Sequence, residues 1–245
     1  MPVQSNPVES AKPGRPPAGE GAKPAEPGGN GKAKSKGKEK GKGKGASGGV
    51  GSVGVFVKEI VLGHGTVGAI ASSSAGLARE MVAGSGIENA RCVVEYGPGV
   101  GAFTGEILAH LPKGARYFAI ELSPRLADKF QARFPDTRLY LGSAADAPEL
   151  CRQEGMNGHS CVDIVFSGLP FASFGPELQA TIIERTVQIL RPGGLFVTFA
   201  YAGLSVCTAK GRGFRRLLPK HFDKVSRGKV VWWNLPPAFV YRCVK

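Results

Sequence analysis

One short segment of the sequence combines a carboxylate with glycines in a spacing that suits ligand binding. It reads Glu95-Tyr96-Gly97-Pro98-Gly99-Val100-Gly101 and stands where a short apolar strand ends and a helix begins. Glycines let the backbone approach a ligand closely, and the helix N-terminus presents N–H groups to it. The pattern Gly97-x-Gly99-x-x-Ala102 also fits a dinucleotide-binding fingerprint, and a purely structural turn is a further interpretation. The segment predicts a binding site and leaves the ligand open.

Two carboxylates narrow the choice of ligand. Glu95 would repel a pyrophosphate, whereas it favours a cationic amine or sulfonium. Glu121 stands 20 residues after Gly101 at the end of the second predicted strand, where a carboxylate can accept both ribose hydroxyls. S-adenosylmethionine (SAM) carries an amine, a sulfonium and a ribose but no phosphate. The sequence therefore predicts a SAM site formed by Glu95, Gly97, Gly99, Gly101 and Glu121, unless Glu121 is only a surface acid.

Alternating strands and helices must position these residues. The predicted strands are Cys92–Tyr96, Tyr117–Glu121, Arg138–Leu141, Val162–Phe166 and Leu195–Tyr201. The helices predicted between them are Phe103–Leu111, Pro124–Phe134, Pro148–Gln153 and Pro176–Leu190. This order predicts an α/β fold with a parallel sheet covered on both faces. The last two apolar runs, Lys229–Trp233 and Ala238–Cys243, are too close for a helix between them and predict an antiparallel hairpin.

The N-terminal part of the chain differs from this core. Residues 1–50 contain twelve Gly, seven Pro and no aromatic residue, so we predict a disordered basic tail. Residues 51–87 are predicted to form a helical lid segment, with a first helix over Val53–Leu62 and a second one capped by Ser72–Ser74. The catalytic core is predicted to span residues 88–245.

Composition and charge restrict the class of protein. The net charge is +13, and residues 201–245 carry ten basic residues and one acidic residue. No apolar stretch is long enough to cross a bilayer, and no secretory signal pattern is present, so we predict a cytoplasmic protein. The five cysteines are widely spaced, which suits reduced thiols, and no zinc-ligand spacing occurs, so no metal is predicted.

The motifs together resemble those of class I SAM-dependent methyltransferases. The resemblance covers residues 88–245 and rests on E-x-G-P-G-x-G, on Glu121, on Arg191-Pro192-Gly193-Gly194 before the fifth strand, and on the closing hairpin. It implies a Rossmann-like, mostly parallel sheet with SAM as cofactor. It also implies that Ser143 and Ala144 edge the adenine and that Ser167 belongs to the cofactor site. Many relatives carry an Asp where Ser143 stands, whereas Asp146 follows three residues later here.

The loop after the fourth strand holds the methyl acceptor in this class, which assigns Gly168, Leu169, Pro170 and Phe171 to substrate binding. The loop resembles the N-L-P-Y/F motif of adenine-N6 methyltransferases, including ribosomal RNA dimethyltransferases. In that motif the Asn accepts hydrogen bonds from the exocyclic amine and the aromatic ring stacks on the base. Gly168 occupies the Asn position and has no side chain to accept these bonds. This substitution argues against base methylation.

Three stretches in combination are similar to bacterial soluble phospholipid N-methyltransferases, which act on phosphatidylethanolamine. They are residues 67–73, Ser167–Pro170 and Trp233–Ala238. The resemblance implies a phospholipid substrate and an enzyme peripherally associated with the inner membrane face, although the Lys-rich tail departs from the compact family pattern. An RNA or protein methyltransferase would suit the basic ends equally. A non-catalytic binding protein and a nicotinamide dehydrogenase are further alternatives, which the intact glycines and Glu95 disfavour.

Two further features have more than one interpretation. Phe214, Leu217, Leu218 and Phe222 recur at helical spacing among basic residues, which predicts either a membrane-surface helix or a helix docked on the sheet. Tyr201, at the end of the fifth strand, and His64, between glycines, are candidate catalytic residues that would orient the acceptor amine. Both could equally be structural.

Overall fold

The computed structural model describes the backbone of residues 67–245 and the side chains of residues 75–203 and 207–245. The predicted tail, the first predicted helix and His64 lie outside the described residues. The strands are β1 (Cys92–Tyr96), β2 (Arg116–Glu121), β3 (Leu139–Leu141), β4 (Val162–Ser167), β5 (Leu190–Tyr201), β6 (Lys224–Arg227) and β7 (Ala238–Val244). The helices are α1 (Val67–Val82), α2 (Thr104–His110), α3 (Pro124–Arg133), α4 (Ala147–Gln153), α5 (Pro176–Ile189), α6 (Ala202–Cys207) and α7 (Ala209–His221).

The seven strands form one sheet in the order β3-β2-β1-β4-β5-β7-β6. The first five strands run parallel to one another, whereas β7 is antiparallel to both β5 and β6. Every residue of the central strand β1 is buried, as expected for a strand covered on both faces. The predicted α/β fold with a mostly parallel sheet and a C-terminal antiparallel pair is confirmed.

Helices cover both faces of the sheet. Apolar side chains of α1 and α2, including Met81 and Ile107, pack with Val93 and Phe166 on one face. Helices α4, α5 and α7 cover the other face, where the buried set is larger and includes Tyr96, Phe118, Ile183, Phe196, Phe214 and Phe239. This packing fixes the parallel strands so that their carboxyl ends, and the loops that follow them, meet at one edge of the sheet.

The C-terminal pair differs from the predicted hairpin in its first strand. The strand that pairs with β7 is β6, Lys224–Arg227, and the predicted strand over 229–233 is wrong. The segment K-V-S-R of β6 has only one apolar residue, because this edge strand buries little of its surface. A search for hydrophobic runs therefore misses β6. The more apolar run that follows lies in the loop between β6 and β7 and contributes a single bridge, Val231 to Ala238.

Two element boundaries also differ from the prediction. Helix α1 already begins at Val67, so Ser72–Ser74 lie inside it and not at its N-terminus. Strand β5 begins at Leu190, because the predicted turn Arg191–Gly194 forms an irregularity within the strand and not a break before it.

Helix α7 docks on the sheet through its apolar face. Phe214, Leu218 and Phe222 are buried, and the Phe214 ring stacks on Phe171 with their centroids 4.3 Å apart. These apolar side chains are therefore unavailable to a membrane, and the interpretation of this stretch as a membrane-surface helix is wrong. Within residues 67–245 no helix has the length and apolarity that crossing a bilayer requires.

A long-range contact ties α1 to β7. Arg242 donates hydrogen bonds to the carbonyl oxygens of Glu80 (2.5 Å) and Ala83 (2.8 Å), at the C-terminal end of the helix. Its guanidinium also lies 3.2 Å from Oε1 of Glu80. A cation at this end of a helix interacts favourably with the helix dipole and with otherwise unpaired carbonyl groups. The first described helix and the last strand are thus joined by one side chain.

Candidate active site

The glycine-rich turn connects β1 to α2 at the carboxyl edge of the sheet. Gly97, Gly99 and Gly101 have φ angles of 60°, 60° and 82°, a region that other residues enter with strain. A Cβ atom at Gly101 would also collide with the ring of Phe134, at the end of α3. The turn therefore requires glycine for its backbone conformation and, at Gly101, for close packing.

Glu121 is brought directly to this turn. Its Oε2 accepts a hydrogen bond from the backbone N–H of Gly99 (3.0 Å), and its Oε1 accepts one from the N–H of Ser123 (2.9 Å). The two bonds fix the orientation of the carboxylate at the ends of β1 and β2. Each carboxylate oxygen can accept a second hydrogen bond, so the group suits a diol such as ribose.

Glu95 is fully buried beneath the start of α2. Its Oε2 accepts hydrogen bonds from the Thr104 hydroxyl (2.8 Å) and from the Tyr117 hydroxyl, whereas its Oε1 has no hydrogen-bond partner in the described part of the chain. Burial raises the pKa of Glu95 to about 7, against the lowering effect of these two hydroxyls. A buried carboxyl group with an unpartnered oxygen suits a cationic ligand.

The loop after β3 places Ser143 and Ala144 next to the Glu121 strand end. The N–H of Gly142 donates to the carbonyl oxygen of Glu121 (2.9 Å), which holds the loop beside β2. Ser143 begins a short 3₁₀ helix, and its N–H donates to the Asp146 carboxylate (3.4 Å). The Asp146 carboxylate therefore lies beside Ser143, although it follows Ser143 by three residues in the sequence.

The loops after β1 and β4 meet backbone to backbone. Ser167 is fully buried at the end of β4, and the N–H of Gly168 donates to the carbonyl oxygen of Tyr96 (2.8 Å). A Cβ atom at Gly168 would lie 2.5 Å from the carbonyl oxygen of Gly97, closer than real Cβ contacts come. The predicted acceptor loop and the glycine turn thus form one continuous surface.

The predicted substrate residues do not all lie on this surface. Leu169 and Pro170 are half-buried, and the Leu169 side chain packs over Gly97. Phe171 is only 2% exposed, and its ring is enclosed by Phe174, Phe196 and Phe214. The assignment of Phe171 to substrate binding finds no support in the described conformation, because the ring fills the core under α7.

Tyr201 ends β5 at the same edge as the acceptor loop. Its ring packs edge-on against Phe199, with the centroids 5.4 Å apart, and is partly buried. Burial raises the pKa of its hydroxyl, which therefore stays protonated at neutral pH. Its role in catalysis remains a prediction, as does that of His64.

The fold has many solved relatives. An O-methyltransferase of Streptomyces achromogenes in complex with SAM has a TM-score of 0.55 at 17% identity, covering 79% of this chain and 97% of that one. A magnesium protoporphyrin IX methyltransferase of Synechocystis with bound SAM has a TM-score of 0.55 at 13% identity, covering 79% and 92%. An O-methyltransferase of Bacillus cereus in complex with S-adenosylhomocysteine has a TM-score of 0.53 at 16% identity, covering 78% and 88%.

Sequence similarity is more specific. No protein-family model matches the chain. An ornithine lipid N-methyltransferase of Singulisphaera acidiphila is 32% identical over 186 residues, which make up 74% of this chain and 90% of that protein. The chain belongs to this family of SAM-dependent methyltransferases. The resemblance that the sequence motifs indicated is therefore confirmed.

The residues of this methyltransferase fit SAM as the bound cofactor. Glu121 presents two oriented oxygens to a diol, Glu95 holds an unpartnered oxygen for a positive charge, and the three left-handed glycines let the backbone of the turn come close to a ligand. When bound, SAM supplies an electrophilic methyl group on a sulfonium. Within residues 67–245 no cluster of three or more His, Cys, Asp or Glu side chains could hold a metal ion.

Three further residues belong to the candidate site although no sequence motif marks them. Leu122 follows Glu121 directly and is 59% exposed, an unusual state for a large apolar side chain beside a polar site, and it suits the flat face of a base. The signal that could have revealed it is an apolar residue just beyond the ribose carboxylate. Thr104 and Tyr117, which hold Glu95, are 9 and 22 residues away from it, and only the packing of β2 and α2 on β1 shows their role.

The methyltransferase is expected to bind SAM more tightly as the pH rises through about 7. A cationic ligand favours the ionised Glu95 carboxylate, so below its pKa the ligand must first displace a proton. We expect the affinity to rise about tenfold between roughly pH 6 and pH 8, and isothermal titration calorimetry measures it directly.

The control for this prediction is Glu95→Gln, which keeps the shape of the side chain but cannot ionise. The variant is expected to bind SAM weakly and with a smaller pH dependence. The wild-type protein without SAM is also expected to lose stability relative to this variant as the pH rises from about 4.5 to about 7, because the raised pKa means that ionisation opposes folding in that range. If the SAM affinity of Glu95→Gln depended on pH as strongly as that of the wild type, the titrating group would belong to the ligand and not to Glu95.

Proposed function

We propose that this methyltransferase transfers the methyl group of SAM to the primary amine of a membrane lipid, with phosphatidylethanolamine as the first candidate acceptor. An amine-bearing ornithine lipid presents the same nucleophile, and the similarity to an ornithine lipid N-methyltransferase supports this lipid class. The shared chemistry is an amino group at the bilayer surface, attached to acyl chains that remain in the membrane.

The observation that carries the proposal is the close approach of Gly168 to Gly97. The position at which base-modifying enzymes carry an amide or carboxylate has no room for any side chain here, because even a Cβ atom would lie 2.5 Å from a backbone oxygen. The acceptor loop therefore lacks the group that reads an exocyclic amine of a base, and Phe171, which would stack on that base, is buried. A flexible aliphatic amine needs neither contact.

The main task of the protein's residues is to position the acceptor amine against the methyl group. An ethanolamine headgroup is an ammonium ion at neutral pH and must release a proton to solvent before its lone pair can attack the methyl group. The N–C bond then forms as the S–C bond breaks, with S-adenosylhomocysteine as the leaving group. Transfer to a closed, apolar pocket lowers the pKa of an amine. The hydroxyl oxygen of Tyr201, which stays protonated, suits a hydrogen bond from an N–H of the neutral amine, which leaves the lone pair free to attack. Holding the two reactants in line supplies the rest of the positioning.

We propose further that the enzyme works at the anionic inner face of the cytoplasmic membrane. The support is the charge of residues 201–245, ten basic residues against one acidic residue. The basic side chains of α7, including Arg215, Arg216 and Lys220, are exposed although the apolar side of this helix is docked. Basic groups near a membrane are attracted by anionic lipids, at about 1 kcal/mol for each Lys or Arg.

The test is the transfer of labelled methyl from SAM to three acceptors in parallel: phosphatidylethanolamine in vesicles, ornithine lipid in vesicles, and total RNA. We expect label in mono- and further methylated lipid and none in RNA. Label in phosphatidylethanolamine or in ornithine lipid alone identifies the headgroup that the site accepts. Label in RNA alone would contradict the proposal and would mean that the basic surface binds nucleic acid.

A further inference from the structure

The loop between β6 and β7 carries three large apolar side chains that point into solvent. Trp232 is 72% exposed, Trp233 92% and Leu235 72%, and we refer to these three residues as the tryptophan tip. Large apolar side chains concentrated in this way on a surface mark an interaction site, because a folded chain otherwise buries them. None of these three side chains belongs to the candidate active site described above.

The tryptophan tip is held in a defined turn. Val231 and Ala238 form a β-bridge at its base, and the backbone N–H of Asn234 donates to the carbonyl oxygen of Val231 (3.2 Å). The Asn234 side chain is buried within the loop and donates to the carbonyl oxygen of Pro236 (2.7 Å). The three apolar side chains are therefore presented outward by a loop that hydrogen bonds of Val231, Asn234 and Ala238 hold in place.

The tip lies at the edge of the sheet that carries the active site. Ala238, which follows the loop, pairs with Tyr201 at the carboxyl end of β5. The carboxyl ends of β1 and β4, with the glycine turn and the acceptor loop, lie along the same edge. A surface that contacts the tip would therefore face the proposed acceptor site.

Two exposed basic residues precede the tip along the chain. Arg227 and Lys229 are exposed just before it, and residues 224–237 contain no acidic residue. The Arg227 guanidinium stacks 4.3 Å from the ring centroid of Phe239, which holds its charge beside the loop. Indole rings prefer the headgroup region of a bilayer, where one part of the ring is apolar and the N–H can find a polar partner. Basic groups next to them complement anionic headgroups.

We propose that the tryptophan tip inserts into the headgroup region of an anionic bilayer and holds the active-site edge against the membrane. The inference rests on the proposed function in taking a lipid bilayer as the occupant. Two Trp and one Leu side chain bury only about 500 Å², less than the roughly 800 Å² for each partner of a standard protein interface, so a second copy of the chain is a poor fit. A bilayer accepts a small protruding wedge.

The chain itself supplies the probe, because Trp232 and Trp233 are its only tryptophans. The full chain is mixed with vesicles of phosphatidylglycerol and phosphatidylcholine that contain no amine-bearing lipid, and its tryptophan emission is recorded. We expect a blue shift and quenching by lipids brominated near the headgroup, with weaker changes on pure phosphatidylcholine. Vesicle binding without any change in emission would overturn the proposal, and so would a blue shift that depends on protein concentration in the absence of vesicles.

Variants test the tip independently of fluorescence. The double variant Trp232→Ala, Trp233→Ala is expected to float with anionic vesicles roughly tenfold more weakly, with an unchanged melting temperature because both rings are exposed. Lys229→Glu is expected to weaken binding, whereas the matched control Lys113→Glu, in the loop before β2 at the opposite edge, is not. Equal vesicle binding by the double variant and the wild type would overturn the proposal.

These measurements separate the tip from the enzymatic proposal. Vesicles without an acceptor lipid report insertion whether or not methyl transfer occurs. Insertion with no methylated lipid in the transfer assay would leave the tip as a membrane anchor and overturn the proposed acceptor. Methylated lipid together with tryptophans that stay exposed would support the acceptor and overturn the tip.

Discussion

Replacing Glu121 by alanine is expected to weaken SAM binding about a hundredfold or more while the protein stays folded. A hydrogen bond to a charged group contributes about 1.5–3 kcal/mol, and the carboxylate offers one oxygen to each ribose hydroxyl. Two such bonds amount to about 3 kcal/mol, or more than a factor of 100 in the dissociation constant. Isothermal titration calorimetry with SAM measures the change.

Two variants make this result interpretable. Asp136→Ala removes the same charge from an exposed position in the loop before β3, at the far edge of the sheet, and is expected to bind SAM normally. Glu121→Gln keeps one acceptor oxygen and is expected to bind with intermediate affinity. An affinity of Glu121→Ala close to that of the wild type would remove Glu121 from the cofactor site and leave it as a clasp for the Gly99 and Ser123 amides.

Replacing Gly168 by alanine is expected to reduce methyl transfer about a hundredfold. The added Cβ would meet the Gly97 carbonyl oxygen at 2.5 Å, and since backbone lies on both sides, the two loops can relieve the contact only by moving apart. A displacement of about 1 Å between reacting groups can reduce a rate by a factor of 100. The overpacking itself is expected to destabilise the fold by about 1–3 kcal/mol.

Gly175→Ala is the matched control, because Gly175 lies in the same loop and a Cβ atom there would meet nothing within 4 Å. This variant is expected to keep nearly full activity. Rates are measured with saturating SAM at a temperature well below both melting transitions, so that lost stability is not counted as lost catalysis. Full activity of Gly168→Ala would show that the contact between the two loops is dispensable for transfer, and the argument from that contact for an aliphatic amine would fail.

The parts of the fold that the sequence predicted are those set by local patterns. The run Cys92–Tyr96 is apolar apart from Glu95 because both faces of β1 are buried, and it ends at glycines because the turn has left-handed backbone angles. The position of Glu121 at the end of β2 placed it beside the turn. For these elements the local sequence pattern is enough to predict both the strand and the position of its end.

The parts that the sequence did not predict depend on partners far along the chain. Strand β6 is defined by its pairing with β7 and not by hydrophobicity. The apolar side of α7 packs on Phe171 in the core. Helical spacing alone did not distinguish this docking from contact with a membrane. The unpartnered oxygen of Glu95 is a property of three-dimensional packing, and so it could not be predicted from spacing.

The contact of Arg242 with the end of α1 has a consequence for how the chain folds. The guanidinium caps carbonyl oxygens that precede it by 159 and 162 residues, and β7 follows every other described element in the order of synthesis. Closing so long a loop is slow, and contacts of high sequence separation form late. The parallel half of the sheet can assemble on a nascent chain before this contact exists. Helix α1 can already pack on α2 and β1 at that stage through Met81, and Arg242 fixes its C-terminal end only after β7 has joined the sheet.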